Sequence, residues 1–137
     1  MHTLKIRHSF DASHQLPDDD LLITKACANP HGHTYHVEME ITANEVNRLG
    51  MVVDFKFVKN LINDWLDHKD INTVFRNYWD ARPSTAENIA RFIYHRLQAD
   101  FDTQIIYKTQ GIKVCYVAIC EGYKGEELSS WCIYEED

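Results

Sequence analysis

The sequence predicts an α+β domain in which a four-stranded, mainly antiparallel sheet carries two helices on one face. Three observations predict it. Two early runs alternate apolar and polar residues with a period of two. Two central runs repeat apolar residues at helical spacing, and the C-terminal part returns to a strand composition rich in Val, Ile and Tyr. Two pairs of strands enclosing two consecutive helices, in the order ββααββ, make the sheet one layer and the helices the other.

The elements follow in order. From Thr3 to Phe10, Leu4, Ile6, His8 and Phe10 alternate with Lys5, Arg7 and Ser9, the period of a half-buried strand. A polar loop is predicted from Asp11 to about Pro30, with Asp18, Asp19 and Asp20 near its middle. Connections of that length are uncommon in compact domains and are usually functional or disordered. From His31, Tyr35, Val37, Met39 and Ile41 alternate with Thr34, His36, Glu38 and Glu40, a second strand. After Gly50, Asp54 has the character of a helix N-cap, and Phe55, Val58, Ile62, Trp65 and Leu66 repeat at helical spacing. A second helix is predicted to begin near Ser84: Pro83 stops what precedes it, Ser84 and Glu87 have the spacing of a capping box, and Ala86, Ile89, Ile93 and Leu97 form an apolar face. Strands at Lys113–Cys120 and Leu128–Tyr134 flank a break around Gly122 and Gly125. With this many apolar and aromatic residues, the second sheet face is expected to need a partner.

Composition bounds the function. The chain of 137 residues, 45% hydrophobic and 12% aromatic, has ample material for a core and reads as one domain, 1–137, without repeat or linker. Its 14 basic and 21 acidic residues give a net charge of −7, which repels a nucleic-acid backbone, and no basic stripe counters it. A phosphorylated small substrate would need a few locally gathered cations. The first ten residues lack the apolar core of a signal peptide, and no run approaches the roughly 18 apolar residues of a membrane span. A cytoplasmic location is expected, where Cys27, Cys115, Cys120 and Cys132 would be reduced thiols.

The chemistry concentrates in histidines. His31 and His33 flank Gly32, and residues two apart on an extended chain point to the same side, so both imidazoles can reach one metal ion. His14 is the natural third ligand for Zn²⁺, and three histidines leave one position open for substrate or water. Taken alone, the H-x-H pair reads equally well as two surface side chains. His2, His36 and His95 have no partner at metal spacing. Cys27 lies four residues before His31, where a thiol beside a metal or a charged imidazole favours its thiolate. As a fourth ligand it would close the site and make it structural; a few ångströms away it would act as a general base. Cys115 and Cys120 are expected on opposite sides of a strand, and with Cys132 they read as core thiols.

The segments FDASHQL, CANPHGH at 27–33, GMVVDF at 50–55, LDHKDIN at 66–72 and PSTAEN at 83–88, with a late-strand Glu121, occur in register along nearly the whole chain. In this the sequence resembles the 6-pyruvoyltetrahydropterin synthase and 6-carboxytetrahydropterin synthase family. The resemblance implies the tunnelling fold, in which subunits form trimers that pair into hexamers with active sites at their interfaces. It implies zinc held by His14, His31 and His33, with Cys27 as the catalytic thiol. Asp67 and His68 become the second acid-base element, and Glu121 the carboxylate that anchors the ring of a pterin substrate. A carboxylate can accept two hydrogen bonds from the amino and ring N–H groups of a pterin, and an aspartate beside a histidine fixes its tautomer and supports its charged form. Without the resemblance, Asp67-His68 reads as a helix C-terminal histidine beside a solvated carboxylate. Thr85 and Glu87 fall in a segment near the pterin, although capping alone explains Glu87. Lys25, Arg7 and His8 are candidate triphosphate contacts, against the reading of Lys and Arg as merely solvated.

Gly122 stands where the family usually has a threonine. The short Cys27-to-His31 spacing is similar to the bacterial, carboxy-forming type, which serves queuosine (7-deazapurine) synthesis, whereas the pyruvoyl-forming animal type has a longer insertion. The resemblance thus implies conversion of 7,8-dihydroneopterin triphosphate to 6-carboxy-5,6,7,8-tetrahydropterin, with loss of triphosphate and acetaldehyde. Its rivals are a pyruvoyl-forming synthase, a non-catalytic zinc-stabilised binding or assembly module, and a zinc hydrolase that opens a purine or pterin ring.

Overall fold

The computed structural model describes residues 1–122, 128 and 130–137. Strand β1 spans His2–His14 and β2 His31–Ala43, followed by helix α1 Phe55–Leu66, the two-residue strand β3 Lys69–Asp70 and α2 Ile71–Tyr78. Helices α3 Ala86–Asp102 and α4 Ile105–Gln110 lead into β4 Lys113–Gly122 and β5 Cys132–Glu135. One 3-10 turn, Lys25–Ala28, lies in the β1-β2 connection.

Alternation in β1 and β2 sets the layers. The pairing Phe10↔Tyr35 continues to Leu4↔Ile41 at one end and His14↔His31 at the other. Ile6, Phe10, Tyr35, Val37, Met39 and Ile41 are therefore turned inward together, and they share one buried cluster with Val58, Ile62 and Leu66 of α1 and Ile89, Ile93 and Leu97 of α3. Burying each such side chain fully contributes about 1.5–3 kcal/mol. Asp54 caps α1 by accepting the Lys56 N–H at 2.8 Å, as its position in the sequence predicts.

The sheet differs from the predicted one. It has five strands, in the order β3-β1-β2-β4-β5, and it is mixed because β3 runs parallel to β1 through Ala12↔Lys69 and Ser13↔Asp70. There are four α-helices among the described residues, not two. Strand β1 extends beyond Phe10 because Ala12 and His14 continue the inward phase and remain buried. The second helix begins one residue later than a Ser84 cap requires: Thr85 is the N-cap and accepts the Asn88 N–H at 3.2 Å. Residues 128, 130 and 131 precede β5, and Gly125 lies outside the described residues.

A bulge shifts the register in β4. Glu40 pairs with Tyr116 but Ile41 with Val114, so Cys115 is extra. Val114 and Val117, three apart, both face the core as a result. The bulge also overturns the expected split of the cysteines. Cys115 lies 3.7 Å from Thr42 Oγ1 on the outer face, the face to which Cys120, paired with His36, belongs. That outer face carries Lys5, Arg7, Glu38, Glu40 and Tyr116 and is mostly polar, with Arg7 Nε donating to Glu38 Oε1 at 2.8 Å. Toward β5 it turns apolar, where Ala118 pairs with the exposed Ile133. Among the described residues, no helix is long and apolar enough to cross a membrane.

Candidate functional site

The inward phase that builds the core also delivers three imidazoles to one end of it. His14 ends β1, and His31 and His33 begin β2 in phase with Tyr35. Their ring centroids are 4.5 Å (His14–His31), 5.1 Å (His14–His33) and 4.9 Å (His31–His33) apart. One potential ligand atom from each lies within 4.8 Å of the others, the separation expected around a single ion.

Each ring is set by a backbone partner. His14 Nδ1 donates to the Ser84 carbonyl at 2.7 Å, and His31 Nδ1 to the Asn29 carbonyl at 2.7 Å. Donation from Nδ1 leaves Nε2 with its lone pair, the form that ligates a metal. His14 is buried, and its Nε2 has no hydrogen-bond partner among the described residues. A buried nitrogen left so costs free energy that a metal ion would recover, so the donor set fits Zn²⁺. Burial holds the His14 pKa below its ordinary value, opposed by the Ser84 carbonyl and reinforced by His31. Burial, with repulsion from His14 and His31, lowers His33 to about 4. Both rings are therefore neutral at pH 7 and ready to bind metal without first losing a proton.

Cys27 lies beside this cluster without joining it. The Leu16 N–H donates to the Cys27 carbonyl at 2.8 Å, pinning the 3-10 turn next to the end of β1. Among the described residues, the potential ligands that converge are the three histidines, and Cys27 is not one of them. Lys25, on the same turn, is exposed and donates to the Asp19 carbonyl at 2.5 Å. Arg7 is paired with Glu38, and His8 Nε2 lies 2.7 Å from Asn63 Oδ1. Arg7 and His8 line one groove, and Lys25 is not among its lining residues.

Carboxylates flank the histidines. Glu121, opposite Tyr35 across β2-β4, lies 3.8 Å from His33 Nε2. Burial raises its pKa, attraction to His31 lowers it, and repulsion from Glu87 raises it. Glu87 is thus an electrostatic neighbour of Glu121, brought there by the first turn of α3. Thr85 supplies the cap bond, so the capping box predicted for Ser84 and Glu87 does not form. Cys132 of β5 also feels Glu87.

The Asp67-His68 dyad opens elsewhere. Asp67 Oδ2 accepts from His68 Nδ1 at 2.9 Å, and its Oδ1 accepts the Asp11 N–H at 2.9 Å. The His68 N–H returns to the Asp11 carbonyl at 2.6 Å, and His68 has φ 58°, a left-handed conformation rare for a non-glycine residue. The Asp11 N–H, followed by His68, lowers the Asp67 pKa, and Asp67 raises that of His68. His68 lines an open groove of about 920 Å³ with Asp11, Thr34, His36 and Lys69 on the outer side of the sheet. His33 alone of the triad borders it.

Two groups were not legible in the sequence as parts of the site. Ser84 is fully buried, its carbonyl orienting His14 and its hydroxyl 3.0 Å from Asn72 Oδ1. Asp11 sits three residues before His14, out of phase with the metal face, so alternation alone puts it on the other side.

Comparison with known proteins shows the family. A family model described as 6-pyruvoyl tetrahydropterin synthase matches residues 3–137. The 6-carboxy-5,6,7,8-tetrahydropterin synthase of Rickettsia typhi is 32% identical, covering 82% of this chain and 96% of its own. That of Bacillus subtilis is 34% identical, covering 90% and 77%. The solved 6-pyruvoyl tetrahydropterin synthase of Caenorhabditis elegans shares the fold, with a TM-score of 0.67 at 23% identity over 99% of this chain and 96% of that one. A match running from the first strand to the last residue, together with relatives of this identity, makes the chain a member of the 6-pyruvoyl tetrahydropterin synthase family.

Proposed function

We propose that the protein is a zinc-dependent lyase that converts 7,8-dihydroneopterin triphosphate to 6-carboxy-5,6,7,8-tetrahydropterin, consuming one water and releasing triphosphate and acetaldehyde. The observation that carries this reading is the converging triad, with the unpartnered Nε2 of His14 at its buried side. The names of the Rickettsia and Bacillus relatives support the carboxy product, as does the short spacing from Cys27 to His31.

In this reading His14, His31 and His33 hold the zinc, which when bound polarises the hydroxyls of the substrate side chain. Glu121 accepts hydrogen bonds from the pterin amino and ring N–H groups, with Glu87 and Thr85 beside it at the start of α3. Cys27 as thiolate removes a proton from the side chain, and His68, tuned by Asp67, moves the matching proton at the neighbouring carbon or oxygen. Lys25 is the candidate for the triphosphate. The dyad and the triad open on different sides of one sheet, which supports a dyad that serves the metal centre of a second copy. The functional form is then a trimer or a pair of trimers with interface sites.

Incubation with 7,8-dihydroneopterin triphosphate, followed by mass spectrometry, tests the reading. The carboxy product and acetaldehyde are expected, lost on chelation and restored by zinc. Full activity after metal stripping, or no turnover of this substrate, would sink it. A three-carbon pyruvoyl product would instead favour the pyruvoyl-forming synthase. Cys27→Ala is expected to keep its zinc and lose about 10²–10⁴-fold in kcat. Zinc content falling together with activity would make Cys27 a ligand and the site structural.

A further inference from the structure

We propose that Asp11 is a positioning residue for the Asp67-His68 dyad, its main chain clamping both residues and its carboxylate forming a second anionic wall beside the imidazole. The inference rests on the dyad's proposed acid-base role. It is carried by a closed set of contacts between β1 and the segment that leaves α1. The Asp11 N–H holds Asp67 Oδ1 at 2.9 Å, and the Asp11 carbonyl holds the His68 N–H at 2.6 Å. Asp67 Oδ2 is then left to accept from His68 Nδ1, and Nε2 becomes the ring nitrogen available to a substrate. One residue thereby fixes the carboxylate, the backbone and the outward nitrogen of the dyad.

The conformation of His68 shows what the clamp sustains. A left-handed φ of 58° costs a non-glycine residue about 1–2 kcal/mol, and it persists where surrounding bonds over-determine it. The bonds here are the two to Asp11 and the parallel pairing of Lys69 and Asp70 with Ala12 and Ser13, which begins at the next residue. The turn projects the imidazole into the groove with its side chain 78% exposed, so a partner molecule can reach it.

The Asp11 side chain adds an element the backbone cannot. Thr34 Oγ1, across the β1-β2 pair, donates to Asp11 Oδ1 at 2.5 Å and holds the carboxylate toward the groove. Among the described residues, the polar groups around His68 are Asp67 on its own segment and, along the groove, Asp11 and Ser13 from β1, His33, Thr34 and His36 from β2, and Lys69 and Asp70 from β3. Asp67 makes the hydrogen bond to the ring; Asp11 acts on it through space, in the same direction, favouring the charged imidazolium. Two carboxylates of unequal reach give a histidine that holds its proton firmly yet exposes it on one nitrogen, which suits a proton donor.

The test is Asp11→Asn, which keeps the shape, the backbone bonds and an acceptor for Thr34 while removing the charge. In the zinc-loaded protein, NMR titration of His68 is expected to show its midpoint moved to lower pH. Turnover of dihydroneopterin triphosphate should fall in kcat by about tenfold, with KM and zinc content unchanged, and with its limb in the pH profile moved the same way. Asp11→Glu, which restores the charge, should recover part of the shift. A His68 midpoint unmoved by Asp11→Asn would overturn the proposal, as would a loss of kcat that Asp11→Glu does not relieve. The NMR readout is independent of turnover, so a protein inactive on the pterin would refute the proposed function while the midpoint still decides the role of Asp11.

Discussion

At Gly122 the obstacle to a side chain is the neighbouring strand itself. A Cβ placed there would lie 2.6 Å from the Thr34 carbonyl oxygen and 3.2 Å from the His36 ring. The ring can turn away; the carbonyl, fixed in the β2-β4 pair, cannot. Gly122→Thr, which would install the residue usual in the family, is therefore expected to force β4 away from β2 next to Glu121. The cost is about 1–3 kcal/mol, the range for overpacking, and the proposed role of Glu121 predicts weaker pterin binding. Thermal unfolding and KM measure the two effects, and a variant as stable as the parent would show that β4 gives way freely. Legibility at this scale followed the phase of the strands. His31 and His33 declared themselves by spacing two apart in an extended run, whereas His14 was singled out from a predicted loop, and the structure places it at the end of β1 in the phase of Leu4, Ile6 and Phe10. Ser84 did not, because a serine before a helix reads as a cap, and only the tertiary structure shows its carbonyl spent on His14.

Among the elements, those with long periodic runs were readable and those built on distant pairing were not. The 12 residues of α1 and 17 of α3 show a clear apolar stripe, whereas α2, with eight, and α4, with six, are too short for one. Strand β3 is two residues long and exists because β1 offers it an edge, a contact that sequence proximity cannot reveal. The bulge at Cys115 was hidden in the same way, since the run from Lys113 onward looks like an unbroken strand. Helix α4 does carry a local stop signal. It ends at Gly111, in the left-handed conformation with φ 68°, whose N–H bonds back to the Lys108 carbonyl. Gly111→Ala would bring a Cβ to 2.7 Å from the Asn44 side-chain amide, which can swing aside, so the backbone sets the cost at about 1 kcal/mol. A fall in Tm of roughly 2–5 °C is expected, with kcat unchanged, because Gly111 adjoins the end of β2 remote from the histidines. A loss of activity at constant zinc content would contradict that separation.

For the molecule as a whole, the histidine triad is also a term in its stability. The three histidines sit in the same inward phase as the core, and the fold desolvates His14 and His33 whether or not a metal is present. In the metal-free protein, unfolding frees His33 from a pKa of about 4 to its ordinary 6.5. Between those values the unfolded chain binds more protons than the folded one, so stability rises with pH through the window. The contribution is complete above pH 6.5 and is lost as pH falls toward 4, by roughly 3 kcal/mol for the His33 interval alone. His14, lowered mainly by burial, adds in the same direction, while Glu121, raised by burial, opposes it by taking up a proton in the folded state at higher pH than in the unfolded one. Against a typical total of about 5–15 kcal/mol, such a loss leaves the stripped protein near its unfolding limit in mild acid. Urea denaturation of chelated protein between pH 7.5 and 4.5 should show this fall, and saturating zinc should raise stability most at the upper end, where the ligands need not shed protons. His33→Gln removes the titrating group and should flatten the metal-free curve; a slope as steep as that of the parent would mean that carboxylates elsewhere, and not the buried imidazoles, govern the acid limb.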